Sequence, residues 1–172
     1  MIDEMVRLFR KLRSDGENCT ILLLISDAGS LGEVRRMFTD SEMSSVRMRS
    51  VEHESVLAYA RFTDIALLFR EDTLINNISS PTKFAEYLCA GLPVLMTQGI
   101  GDYSDIVKEQ SVGSIIDLSR LSEPGYGKGI VRELMARGPL KERCKEYVLG
   151  NLAWDSYEEP LLRAFSPGKG GI

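Results

Sequence analysis

Ser80-Pro81-Thr82-Lys83-Phe84-Ala85-Glu86-Tyr87-Leu88-Cys89-Ala90-Gly91-Leu92-Pro93-Val94 is the stretch that decides how this chain folds. Pro81 suits the first position of a helix, Ser80 its N-cap, and Gly91 its end before Pro93. Within it Phe84 and Leu88 share one face, as do Ala85 and Cys89. The helix would stop at glycine and run directly into an apolar segment, residues 94–97, which reads as a strand.

Working outward, the same unit recurs on both sides. Residues 64–69 form an aliphatic strand ahead of a polar, irregular stretch from Arg70 to Ser79. Downstream, Asp102 can cap a helix that leads to a strand at residues 113–117. Residues 20–26 are almost continuously aliphatic, which suits a strand covered on both faces. Leu31, Val34 and Phe38 mark a helix, and residues 54–60 another. Val46, Met48 and Ser50 alternate with Arg47 and Arg49, so this strand belongs at an edge. Ile2, Met5, Val6, Phe9 and Leu12 give an opening helix that should stop at Gly16. After residue 117 only helices are expected, over 130–136, 140–149 and 154–165, and the glycine-rich tail 166–172 should be disordered. The pattern predicts a single α/β domain over residues 1–165, a Rossmann-like parallel sheet of about five strands with helices on both faces.

Composition narrows the functions. With 172 residues, 44% of them hydrophobic, the chain can bury one core and not two. A formal charge of -4 offers no general attraction for nucleic acid, so an anion must be caught by a local device. Cys19, Cys89 and Cys144 are too scattered for a disulfide framework or a metal knuckle and read as reduced thiols of a cytoplasmic protein. The apolar run at residues 21–25 is far too short to span a bilayer, so no transmembrane segment is expected.

Ligands of open parallel sheets bind beyond the C-terminal strand ends. The helix beginning at Pro81 offers free N–H groups and a favourable dipole to an anion there, Lys83 adds a charge, and Glu86 lies one turn below on the face of Thr82. A carboxylate so placed could accept hydrogen bonds from a ribose diol. Each feature also has a plainer reading: Ser80-Pro81 as ordinary capping, Glu86 as a solvated helix residue, Gly99-Ile100-Gly101-Asp102 as a turn. His53, the only histidine, has no Cys or second His for a metal site and is not read as catalytic.

Taken together, residues 80–94, with Gly99-Ile100-Gly101-Asp102 and Ile106-Val107, resemble the donor-site signature of retaining GT-B glycosyltransferases of family four (glycosyl transferases group 1). The resemblance covers nearly the whole chain, but as the C-terminal half of a GT-B fold. It implies transfer of a sugar from a nucleotide diphosphate sugar, a UDP or GDP sugar, with retention, in cell-surface polysaccharide biosynthesis. It implies that Glu86 holds the ribose hydroxyls, that the backbone at Ser80, Thr82 and Lys83 meets the diphosphate, and that Val51-Glu52-His53 borders the base. Many members carry a second glutamate where this chain has Ile78; Asn76, Asn77 or Ser79 could substitute. Gly99 completes the expected donor-binding set. No catalytic residue, metal or cofactor is assigned to this half.

The resemblance also implies a missing N-terminal acceptor-binding domain, without which the chain alone would be inactive, and a peripheral place at the inner membrane for the whole protein. A face left open by that missing half could pair two copies into a homodimer. The family's first strand is absent as well, from a central position between the strands at 20–26 and 64–69. Closure into a sheet of order 2-1-3-4-5 is expected, since a gap leaves backbone groups unpaired. Alternatives to the transferase are a non-catalytic nucleotide-sugar-binding or interaction module and, fitting less well, a sugar-nucleotide epimerase.

Overall fold

The computed structural model describes residues 1–78, 81–153, 158 and 162. The chain is α/β, with every strand pairing parallel. It runs α1 (Ile2–Ser14), β1 (Ile21–Ile25), α2 (Leu31–Arg35), β2 (Val46–Ser50), α3 (Val56–Ala60), β3 (Ala66–Leu68), α4 (Leu74–Ile78), α5 (Thr82–Cys89), β4 (Val94–Met96), α6 (Tyr103–Glu109), β5 (Gly113–Ile115), α7 (Tyr126–Met135) and α8 (Leu140–Asn151). Short 3-10 turns precede α2, β2 and α3 and follow β5.

The expected closure into one sheet does not occur. The strands form two sheets, β1-β2 and β3-β4-β5, and no backbone bond among the described residues joins β1 to β3. α1 helps to join them, through two adjacent stripes, and Ala60 at the end of α3 is buried in the core of the second sheet as well. Val6 and Phe9 pack with Ile21, Leu23, Phe38 and Val46 over the first sheet. Leu8 and Leu12 pack with Phe69, Leu95, Ile116 and Leu121 over the second. Two stripes at helical spacing serve two sheets, so side-chain burial stands where a strand ladder was expected. Leu8, only 1% exposed, is absent from the set read from the sequence, although that set already holds members of both stripes, Ile2, Val6 and Phe9 for the first sheet and Met5 and Leu12 for the second.

The opposite face of β3-β4-β5 is covered by α5, α6 and α8, whose Phe84, Leu88, Val107, Cys144 and Val148 bury against Ala66, Leu68, Val94 and Met96. Burial pushes the Cys144 thiol up to about 11, so this cysteine is a packing residue and no nucleophile at neutral pH. All three cysteines are unpaired. β2 pairs with β1 alone and is an edge strand, as its alternation indicates.

Other elements differ from the sequence reading in detail. The helix of the deciding stretch starts at Thr82, with Pro81 as the extended residue before it at φ -72° and ψ 114°. Pro81 is thus one place earlier than expected, because its carbonyl accepts the N–H of Phe84 and closes the first turn. Gly91 ends the helix in a left-handed conformation, φ +77°, where a Cβ would cost energy. The stretch after β3 is not wholly irregular: Thr73 Oγ1 accepts the N–H of Asn76 at 3.3 Å and nucleates α4. The expected final helix over 154–165 and the tail 166–172 lie outside the described residues, apart from 158 and 162. No helix among the described residues is long and apolar enough to cross a membrane.

One surface pair fastens α1 to the turn before β2. Arg10 grips both oxygens of Glu42 at 2.7 and 3.0 Å, and the N–H of Thr39 reaches the same carboxylate at 2.8 Å. The Arg10 hydrogen bonds pull the Glu42 carboxyl from 4.5 down to about 2. A folded value below the unfolded one means that this contribution is complete above pH 4.5 and lost as pH falls through about 2. Thermal unfolding of Glu42→Gln should therefore lie below that of the unsubstituted chain at neutral pH and converge with it near pH 2. Parallel curves across that range would refute the assignment.

Candidate functional site

Residues beyond the C-terminal ends of β2, β3 and β4 form the candidate site, and the helix that points into it is α5. Phe84 and Leu88 are fully buried beneath this helix, and the Phe84 ring lies 4.5 Å from that of Tyr103 at 47°. Their burial fixes α5 and leaves Thr82 and Lys83 exposed at its first turn. The Phe84 N–H is taken by the Pro81 carbonyl, so the donors that α5 presents at its positive dipole end are the N–H groups of Thr82 and Lys83.

One turn further in, Glu86 is half-buried, its side chain 21% exposed. Its carboxylate Oε1 lies 3.3 Å from Nε2 of His53, which follows β2 and is 78% exposed. The chain thus brings together two of the residues singled out from the sequence, from opposite sides of the junction between the sheets. The carboxylate acts on its neighbours: burial first, then the charge of Glu86, raises the Tyr87 hydroxyl and the Cys89 thiol above their ordinary values. An anionic Glu86 can accept two hydroxyl hydrogens at once.

Val51, the other expected base-side residue, is half-buried. Its N–H donates to Ile25 at 3.1 Å and continues the β1-β2 ladder to the edge of the site. Asp27, in the loop after β1, is occupied with its own turn, accepting from Ser30 Oγ at 2.7 Å and from the Gly29 N–H at 3.0 Å. These bonds, the Ser30 hydroxyl foremost, hold its carboxyl below the usual range.

Gly99 and Asn77 meet in a second group. Gly99 has φ +80°, and a Cβ there would stand 2.6 Å from Oδ1 of Asp72 and 3.1 Å from Oδ1 of Asn77. Asn77 Nδ2 donates to Asp72 Oδ1 at 2.8 Å, so the amide expected to meet a sugar is engaged with a neighbouring carboxylate. Ile78 is 77% exposed, with Leu74 and Ile75 alike on α4. Ser79 and Ser80 lie outside the described residues.

Asp72 and Thr97 are the residues of this region that sequence reading passed over. Thr97 is a buried hydroxyl, 8% exposed, at the end of an otherwise apolar run. A lone polar residue closing a buried strand was the available signal. Among the described residues, no cluster of His, Cys, Asp and Glu could hold a metal ion.

No family model matches the sequence, and no characterised protein matches it by sequence. In fold the chain is similar to the crystal structure of WaaG, a glycosyltransferase involved in lipopolysaccharide biosynthesis, with a TM-score of 0.63 at 18% identity. The likeness covers 96% of this chain and 44% of that one, so this chain spans less than half the length of the solved structure. At such identity the likeness is one of fold, an α/β half of Rossmann-like design.

Proposed function

We propose that this chain is the donor-binding part of a GT-B glycosyltransferase that transfers a sugar from a nucleotide diphosphate sugar with retention of configuration. The observation that carries the reading is the pairing of Glu86 with His53 at 3.3 Å, one turn inside the N-terminus of α5. A nucleotide diphosphate asks for such a layout: a carboxylate for the ribose diol and an N-terminal helix turn with Lys83 for the diphosphate. The similarity to WaaG in fold supports it. In this reading the protein positions the donor and stabilises the departing diphosphate through helix N–H groups and Lys83, without a metal. Acceptor binding belongs to a separate half.

Protein-observed NMR titration with UDP, GDP and ADP tests the reading, since binding to half a cleft is weak. Shifts should centre on Thr82, Lys83, Glu86 and His53, and one base should be preferred. Glu86→Ala should weaken that binding by about 1–3 kcal/mol, the scale for removing a charged hydrogen-bond partner. Equal affinity in the variant, or no shift with any nucleotide, would defeat the assignment.

A further inference from the structure

Beyond the last paired residues of β3 and β4, Leu68 and Met96, the two strands part, and a side chain takes over from the ladder. The N–H of Thr97 still reaches the Leu68 carbonyl at 3.4 Å. The next contact is made by the Thr97 hydroxyl, which accepts the N–H of Arg70 at 3.0 Å and donates to the carbonyl of the same residue at 2.8 Å. One hydroxyl so serves as both halves of a peptide group and holds the start of the β3–α5 loop against the β4–α6 loop.

From Arg70 the hold passes onward. Its guanidinium meets Asn76 Oδ1 at 3.3 Å, and Asn76 Nδ2 donates to the Glu71 carbonyl at 2.9 Å. Asn77 Nδ2 bonds Asp72 at 2.8 Å, and Asp72 with Asn77 packs on Gly99, two residues after Thr97. The contacts close a circuit that begins and ends on the β4–α6 loop and encloses α4. That helix uses its polar residues for anchorage and turns Leu74, Ile75 and Ile78 outward, each about three-quarters exposed.

We propose that Thr97 is a positioning residue: its hydroxyl, with the Asp72–Asn77 pair, locks the β3–α5 and β4–α6 loops into one platform and so sets donor affinity without touching the donor. The affinity part rests on the donor-site reading; the locking of the loops does not. Thr97→Val keeps the shape and removes both bonds, whereas Thr97→Ser keeps the hydroxyl. In the full 172-residue chain, Thr97→Val should displace the amide resonances of Asn77 and Gly99. It should also weaken binding of the preferred nucleoside diphosphate by about tenfold, the factor that corresponds to ~1.4 kcal/mol. Thr97→Ser should restore both.

Should Thr97→Val fail to fold, Asp72→Ala reads the same circuit from its far side, with displaced Arg70 and Thr97 amides and a similar loss of affinity. Resonances of Asn77 and Gly99 that stay in place in Thr97→Val, or of Arg70 and Thr97 in Asp72→Ala, would overturn the locking, and unchanged nucleotide affinity would overturn its role in binding. If no nucleotide binds the unsubstituted chain, the donor reading falls and the affinity role with it, while the amide resonances still decide the locking.

Discussion

Phe84→Ala is expected to lower the free energy of unfolding by about 3–5 kcal/mol, the range for deleting a fully buried aromatic ring. Phe84 is 0% exposed and belongs to the core beneath α5. Its ring also meets Tyr103 at 4.5 Å, so the variant loses an aromatic contact as well as buried area. Urea unfolding followed by far-UV circular dichroism measures the change. A cost near 1 kcal/mol or below would mean that α5 is not seated as described. On the proposed donor-site reading, the same helix carries Lys83 and Glu86, so a variant that stays folded should also bind nucleotide less well.

Phe9→Ala should cost a comparable amount, about 3–5 kcal/mol, but should be felt unevenly. Phe9 is 4% exposed and faces the β1-β2 cluster, where its ring stands edge-on to Phe38 at 6.3 Å. The neighbouring Leu8 faces the other sheet. Native-state hydrogen exchange should therefore show Phe9→Ala releasing the amides of β1 and β2 before those of β4, and Leu8→Ala the reverse. Equal loss of protection in both sheets under both substitutions would show that α1 does not divide its stripes between them.

How far the sequence discloses this molecule depends on the kind of interaction involved. Short-range signals were readable: Gly91 closing α5, the arginine alternation of an edge strand, and the apolar runs of β1 and β4 all report local burial or local backbone need. The pairing of strands was not. Strand pairing is a long-range matter, and α1, which buries residues against both sheets, can satisfy one target face or two with much the same composition. The start of α5 shifted by one residue because a carbonyl, which every residue has, made the first bond. In the candidate site, Glu86 and Lys83 stand out through their place on a helix, and His53 through being the only histidine. The 3.3 Å approach of His53 to Glu86 was not visible. Thr97 is marked only as a lone polar residue closing an apolar strand, and Asp72 not at all, because the circuit of contacts between loops that joins them is encoded by no spacing.

The junction carried by α1 has a thermodynamic consequence. The candidate site takes His53 from beyond β2 and Glu86 from a helix packed on β3 and β4, so a ligand that grips both groups ties together two sheets that share no ladder. Binding and docking are then linked quantities. At a free ligand concentration a hundred times Kd, occupancy adds about 2.7 kcal/mol to the state in which the sheets are properly joined. By the same linkage, whatever loosens α1 from either sheet lowers affinity at a site that α1 does not line.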